Sequence, residues 1–384
     1  MKTGPNALIA VATSVLALTV MSPIAHSAPS TPVGTTISTT ALPPRQLLSG
    51  AASGYAISYS TTDEHGRRAI ANGQVYLPSG RAPVGGWPVV SWAKGTVGVG
   101  DQCAMSTTLA AGRPDPYAVE ISKPLLTRLL AAGTAVVSTD YIGLGSPDAH
   151  RYLETTAEAH AVIDIVRAAA SRFPALSRTW VAVGHSQGGG AALAAGALTR
   201  SYGTGLGFRG TVAIAPASNI ESVVSQLGPA TPRIGLISNI TATFAYILSG
   251  LKASRPDIDV DFYLTDLGRR TVAAAGDRCI AEERATLASV VPQQLLRRPL
   301  SDPTFTRALR AYLAVPTTGY RQPVVIEQGL ADSVVSPALT TLLVGQLAAG
   351  GTIARYNVDR PATHYDVIGR TAGQSAAAIA RMLT

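Results

Sequence analysis

The chain has 384 residues, a formal net charge of +8 and only 14% charged residues, against 46% hydrophobic ones. That length suits one large domain, or a core with a substantial insertion. Its arginines are scattered, as in Arg67-Arg68, Arg269-Arg270 and Arg297-Arg298, with no aromatic-interleaved basic run, so no nucleic-acid partner is expected.

Residues 1–27 differ in kind from the rest. Lys2 precedes the apolar stretch ALIAVATSVLALTV (7–20), and Ala25-His26-Ser27 offers small residues at −3 and −1. This is the order of a secretory signal peptide, too short for a bilayer span, with cleavage expected after Ser27 or Ala28. No later window reads as an anchor, so a secreted, extracellular product without a transmembrane segment is expected. Residues 28–48, rich in Ser, Thr and Pro, read as a loose N-terminal arm. GYAISYSTTDEHGRRAIANGQVYLPSG (54–80) reads as two antiparallel strands around a DEHG turn. GWPVVSWAKG (86–95) is a short strand entering a glycine-rich loop, and LLTRLLAAGTAVVSTDYIGLG (125–145) is helix, buried strand and loop.

AEAHAVIDIVRAAASRF (157–173) is helical, with Val162, Ile165, Val166 and Ala169 on one face. TWVAVG (179–184) is a buried strand, QGGGAALAAGALTR (187–200) a small-residue helix, and FRGTVAIAPA (208–217) another strand. From 219 to 318 strand signal fades and three helical stretches follow, one of them spanning TDLGRRTVAAAGDRCIAEERATLASV. PVVIEQG (323–329) and GTIARYNV (351–358) resume the sheet around a helix, and TAGQSAAAIARML closes the chain. The pattern predicts an α/β fold, a mostly parallel sheet covered on both faces. Its core is residues 49–218 and 319–384, interrupted by a helical cap at 219–318.

Gly184-His185-Ser186-Gln187-Gly188 fits G-x-S-x-G between a predicted strand and a predicted helix, the context a nucleophilic serine needs. The plain alternative is a tight packing turn. A serine hydroxyl requires a base. His364, in a loop between the last predicted strand and the final helix, is the candidate. His185 is too close in sequence to reach Oγ in line, and His65 sits in a hairpin turn. His160 reads as a helical pair with Asp164, and His150 could at most line a cleft. Asp332, just past a buried strand, is preferred over Glu327 and Asp366 as the orienting acid; its plain alternative is a turn cap. The oxyanion donors are expected from the N–H of Gln187 and from the AKGTVGVG loop, at Thr96 or Gly95 beside it. Ser91-Trp92-Ala93-Lys94 matches S-x-x-K but lies inside a strand and lacks its partner motifs. The two cysteines, Cys103 and Cys279, are expected to form a disulfide in an exported chain, buried free thiols being the alternative. They do not make a zinc site.

SWAKGTVG (91–98), STDYIGLG (138–145), GHSQGG (184–189), GLADSVVSP (329–337) and THYDV (363–367) together resemble the secretory lipase family of the α/β-hydrolase superfamily, the group similar to fungal lipase A. The resemblance implies Ser186, Asp332 and His364 as a catalytic triad and a helical cap between the sixth and seventh strands. It also implies carboxylester substrates, often triacylglycerols. In related bacterial members the oxyanion segment usually reads HGT, where this chain has Lys94-Gly95-Thr96. The expectation is a secreted, monomeric serine carboxylester hydrolase, a lipase acting on an ester or lipid substrate through an acyl-enzyme, with no metal or cofactor. A prolyl-type serine peptidase on the same fold, or a non-catalytic binding protein, are the rivals.

Overall fold

The computed structural model describes residues 31–110, 116–232 and 240–384, with positions 1 and 4. The expected signal peptide lies otherwise outside the described residues. In chain order, four strands come first: β1 (Thr36–Ala41), β2 (Ala51–Thr62), β3 (Arg68–Pro78) and β4 (Trp87–Ala93). Then follow α1 (Met105–Ala110), α2 (Pro116–Ala131), β5 (Ala135–Ile142), α3 (Thr155–Arg172), β6 (Leu176–His185), α4 (Gln187–Leu198) and β7 (Gly207–Ile214). Between β7 and β8 (Val324–Gly329), the described residues form α5 (Ile220–Val224), α6 (Thr241–Ser254), α7 (Asp266–Ala275), α8 (Ile280–Thr286), α9 (Pro292–Leu295) and α10 (Pro303–Leu313). The chain ends with α11 (Pro337–Ala349), β9 (Arg355–Asp359) and α12 (Val367–Leu383).

All nine strands join one sheet in the order β1-β2-β3-β5-β4-β6-β7-β8-β9. The pairings from β5 through β9 are parallel, and β1, β2 and β3 are antiparallel additions. Strand pleating divides the core: Val89 and Ala93 of β4 face the layer of α3 and α4, while Val90 and Trp92 face that of α2 and α12. Both faces are covered, so the central strands are apolar throughout.

Two expectations are corrected. The segment 28–48 is not simply a loose arm, because residues 36–41 form an edge strand whose Ala41 pairs with Tyr55. Threonine and isoleucine in TISTTA favour extended backbone, and the half-exposed edge position explains why the segment carries so little apolar signal. That strand also moves the helical insertion to between the seventh and eighth strands. Secondly, the single helix read across 265–290 is two helices, α7 and α8. Cys279 forms a disulfide with Cys103 and a β-bridge with Gly98, and the Ile280 N–H donates to the Val97 carbonyl at 2.9 Å. Extended backbone is needed there, which breaks the helix.

The insertion carries its own hydrophobic cluster, including Phe244, Leu248, Leu264, Leu295, Phe305 and Leu309. Tyr152 and Leu153, from the loop before α3, belong to the same cluster and continue it into the sheet domain.

The disulfide closes a loop of 176 residues in sequence. A double Cys103→Ala/Cys279→Ala variant is therefore expected to lose roughly 2–5 kcal/mol of stability. Urea unfolding against the oxidised wild type checks this; an unchanged midpoint would contradict it.

Candidate active site

The turn from β6 into α4 carries Ser186 at φ 57°, ψ −118°, a conformation that non-glycine residues seldom adopt. Four backbone hydrogen bonds hold it. The Ser186 N–H donates to the Ile214 carbonyl at 2.9 Å, and its own carbonyl accepts from the N–H groups of Gly189 (2.9 Å), Gly190 (3.2 Å) and Ala217 (2.9 Å). The flanking glycines permit the turn through close approach. A Cβ on Gly184 would lie 2.0 Å from the Gly188 carbonyl oxygen, and one on Gly188 would lie 1.8 Å from that of Ala93. Helix α4 thus meets the end of β4 backbone to backbone, and the serine is lifted above the sheet.

His364, in the loop after β9, places Nε2 2.9 Å from Ser186 Oγ. Its Nδ1 lies 2.7 Å from Asp332 Oδ2, just after β8. Both His364 and Asp332 are buried. Burial alone would raise the Asp332 carboxyl, yet the His364 contact and the N–H groups of Val334 and Val335, each 2.8 Å from Oδ1, bring it below the ordinary range. The carboxylate stays ionised and fixes an Nδ1–H tautomer, leaving Nε2 able to accept a proton. The other acids considered are elsewhere: Glu327 accepts from Asn357 at 3.1 Å, and Asp366 accepts from the Thr363 N–H at 2.6 Å.

His185 has a role that its sequence position concealed. Burial holds its pKa down at about 3, so it is neutral, and its Nε2 lies 2.8 Å from the His364 carbonyl, to which it donates. It positions the backbone of the residue facing Ser186. No sequence signal pairs it with a carbonyl 179 residues away.

Gln187 opens α4, so its N–H has no partner within the helix. Its side-chain amide donates to Glu158 Oε1 at 2.6 Å and to His150 Nε2 at 3.1 Å. His150 in turn donates from Nδ1 to the Ile142 carbonyl at 2.9 Å; burial keeps it neutral, at about 3. Glu158 is also buried, and desolvation raises its carboxyl to about 8, so at neutral pH it is largely protonated. The clue to Glu158 was its place on the apolar stripe of α3, four residues before Val162. His160, by contrast, does not pair with Asp164: it stacks on Tyr202 and meets Thr62 at 3.0 Å.

Thr96 shares a 2.7 Å hydrogen bond with the Tyr152 hydroxyl, and Gly95 lies against His185, with Ser186 next to it. Lys94 points behind this loop. Its Nζ donates to the carbonyls of Thr139 (3.3 Å) and Asp140 (3.0 Å) and lies over the Tyr141 ring, and burial lowers its pKa to about 8. Lys94 therefore ties this loop to β5 and is not among the residues that line the cavity beside Ser186. Ser91, of the S-x-x-K match, is buried and donates to the Val162 carbonyl at 2.7 Å.

Ser186, His364, Gly95 and Thr96 line a cavity whose walls are mainly apolar: Ile220, Val224, Phe244 and Ile247 from the insertion, with Val335 and Leu339 from the sheet domain. Helix α6 serves both purposes open to it, since Phe244 and Ile247 reach the cavity while Ala245, Leu248 and Leu251 are buried in the insertion's own cluster.

A central parallel-majority sheet, a strained serine turn after a middle strand and a helical insertion after the strand that follows define an α/β-hydrolase fold. The chain belongs to the secretory lipase family, whose model matches residues 115–338. No curated relative matches its sequence. Among solved structures it is similar to lipase A of Candida antarctica (TM-score 0.71, 17% identity, 87% of this chain and 78% of that one). It is also similar to the rice cell wall degrading esterase LipA of Xanthomonas oryzae (TM-score 0.71, 18% identity, 91% and 97%). A putative hydrolase of Legionella pneumophila aligns as well (TM-score 0.68, 16% identity, 90% and 98%). The protein is accordingly a hydrolase of the lipase and esterase type acting on small-molecule esters.

Because the folded-state pKa of Glu158 is raised to about 8 from an ordinary 4.5, its contribution to stability is full below pH 4.5 and is lost as pH rises toward 8. A Glu158→Gln variant keeps an acceptor for the Gln187 amide without that loss. Its stability relative to wild type should therefore improve between pH 5 and pH 8 in urea titrations; a difference that is flat across the range would contradict the assignment.

Proposed function

We propose that this chain is a secreted serine carboxylester hydrolase of the triacylglycerol-lipase kind, with Ser186 as nucleophile, His364 as general base and acid, and Asp332 as the orienting carboxylate. The observation that carries the reading is the unbroken contact from Asp332 Oδ2 through His364 to Ser186 Oγ, at 2.7 and 2.9 Å, beside a mainly apolar cavity that Ser186 and His364 line. Ser186 Oγ attacks the acyl carbon as its proton passes to His364 Nε2, and Asp332 stabilises the imidazolium. The N–H groups of Gln187 and Thr96 receive the oxyanion. The alcohol departs with the proton from Nε2. Water then adds to the acyl-enzyme by the same route, releasing the carboxylic acid and restoring the serine.

Residues 219–318 act in this scheme as a cap that shapes the acyl site, and export follows from the signal-peptide order of residues 1–27. The cavity also bears on the peptidase alternative. A prolyl peptidase needs an acidic anchor for a peptide amine, whereas no Asp or Glu is found among the described residues that line this cavity. Its apolar walls suit an acyl chain.

Ser186→Ala is expected to lower kcat by about 10⁴- to 10⁶-fold with KM little changed, leaving a residue of activity from the oxyanion donors. The companion measurement is a p-nitrophenyl ester series from acetate to stearate, with emulsified triacylglycerol, run below and above substrate solubility. Hydrolysis that rises when droplets form supports a lipase; faster cleavage of an aminoacyl-proline amide than of any ester would overturn the proposal.

A further inference from the structure

One charged side chain shares the cavity with the proposed triad and has no part in it. Arg284 is the only residue of fixed charge among the described residues that line the cavity, and it is exposed at the end of α8. Its nearest acids in sequence are engaged elsewhere: Glu283 Oε2 meets Arg278 Nη1 at 3.1 Å, and Glu282 Oε1 meets Arg278 Nε at 3.8 Å. What Arg284 does touch is aromatic. Its guanidinium lies over the Tyr365 ring, 5.9 Å from the centroid, and that ring sits edge-on to His364 with centroids 5.1 Å apart. Only one ring thus separates the guanidinium from the imidazole that faces Ser186.

The backbone that carries Arg284 is tied at its start. Residue 279 is tied to Cys103 by the disulfide, and Ile280, one turn before Arg284 on the same face of α8, also lines the cavity while its N–H is held by the Val97 carbonyl. The same backbone therefore fixes Arg284 to the loop that carries Thr96. A guanidinium offers a planar fork of donors suited to two oxygens at once. With no other fixed charge among the described residues that line the cavity, such a group is placed to distinguish substrates by charge.

We propose that Arg284 is a specificity residue, which binds an anionic oxygen group, carboxylate or phosphate, carried by the ester a few bonds from the scissile carbonyl. This rests on the serine ester hydrolase part of the reading above, not on triacylglycerol as the substrate, and names a substrate class for the same site. The group has two possible sources, a dicarboxylic half-ester with the anion on the acyl side or a glycerol phosphate ester with the anion on the alcohol side.

Two matched pairs test it on the full mature chain at low ionic strength. One compares the p-nitrophenyl monoester of suberic acid with p-nitrophenyl octanoate; the other compares octanoyl glycerol phosphate with octanoyl glycerol. Arg284→Gln is expected to lower kcat/KM for the anionic member of one pair roughly 10- to 100-fold. The neutral member should change by no more than about threefold, and Arg284→Lys should recover part of the loss, as expected for a retained charge without the fork. The pair affected identifies the source of the anion. Equal changes for both members of both pairs, or no change in any, overturn the proposal and leave Arg284 a solvated rim residue. Ser186→Ala, assayed alongside, keeps the claims apart: hydrolysis undiminished in that variant refutes Ser186 as the nucleophile, whereas hydrolysis reduced there to the residual level with an unchanged anionic-to-neutral ratio in Arg284→Gln refutes only the role of the arginine.

Discussion

The rest of the structure depends on one strained residue. Ser186 at positive φ costs on the order of 1–3 kcal/mol, and such a conformation persists only when its surroundings over-determine it. Here they do so from three directions. Strand β7 supplies the Ile214 carbonyl, the segment after it supplies the Ala217 N–H, and α4 supplies the N–H groups of Gly189 and Gly190. The absence of side chains at Gly184 and Gly188 lets α4 descend onto the end of β4. Bringing those backbones together is what points a hydroxyl at an imidazole that arrives from a loop 178 residues further on.

Around that turn, two buried assemblies set the geometry of the site. On one side, Glu158 and His150 grip the Gln187 side chain, so the first residue of α4 cannot drift, and His185 holds the carbonyl of His364. On the other, Lys94 and Tyr141 brace the Gly95-Thr96 loop from behind, the Tyr141 hydroxyl donating to the Lys94 carbonyl at 2.9 Å. Beyond the loop, the disulfide and the Val97–Ile280 hydrogen bond carry the same constraint into the helical insertion. The wall of the cavity is thereby coupled to the loop beside the serine.

Much of this was legible in the sequence because the signals are local. Buried strands such as TWVAVG announce themselves by apolar, β-branched composition, and the serine turn by glycines that close approach requires. Asp332 and His364 were accessible because each follows a strand end in an order that suits the fold. What was missed depended on distant partners. The edge strand TISTTA gains its order from β2, and its polar residues looked like a linker. The break between α7 and α8 follows from a covalent bond to a cysteine 176 positions earlier. His185 acts on a carbonyl remote in sequence. Glu158 could have been found, since an acid on the buried stripe of a helix requires a partner, but nothing local names Gln187 as that partner.

The central claim is that the hydroxyl of Ser186 is made reactive toward acyl carbon by its contact with His364. The most direct test is covalent labelling of the mature protein with a fluorophosphonate, followed by peptide mapping by mass spectrometry. The account predicts one equivalent of adduct on the peptide containing Ser186, with labelling strongly slowed in His364→Ala. An adduct on another residue, or labelling at Ser186 that proceeds equally fast without the imidazole, would contradict it.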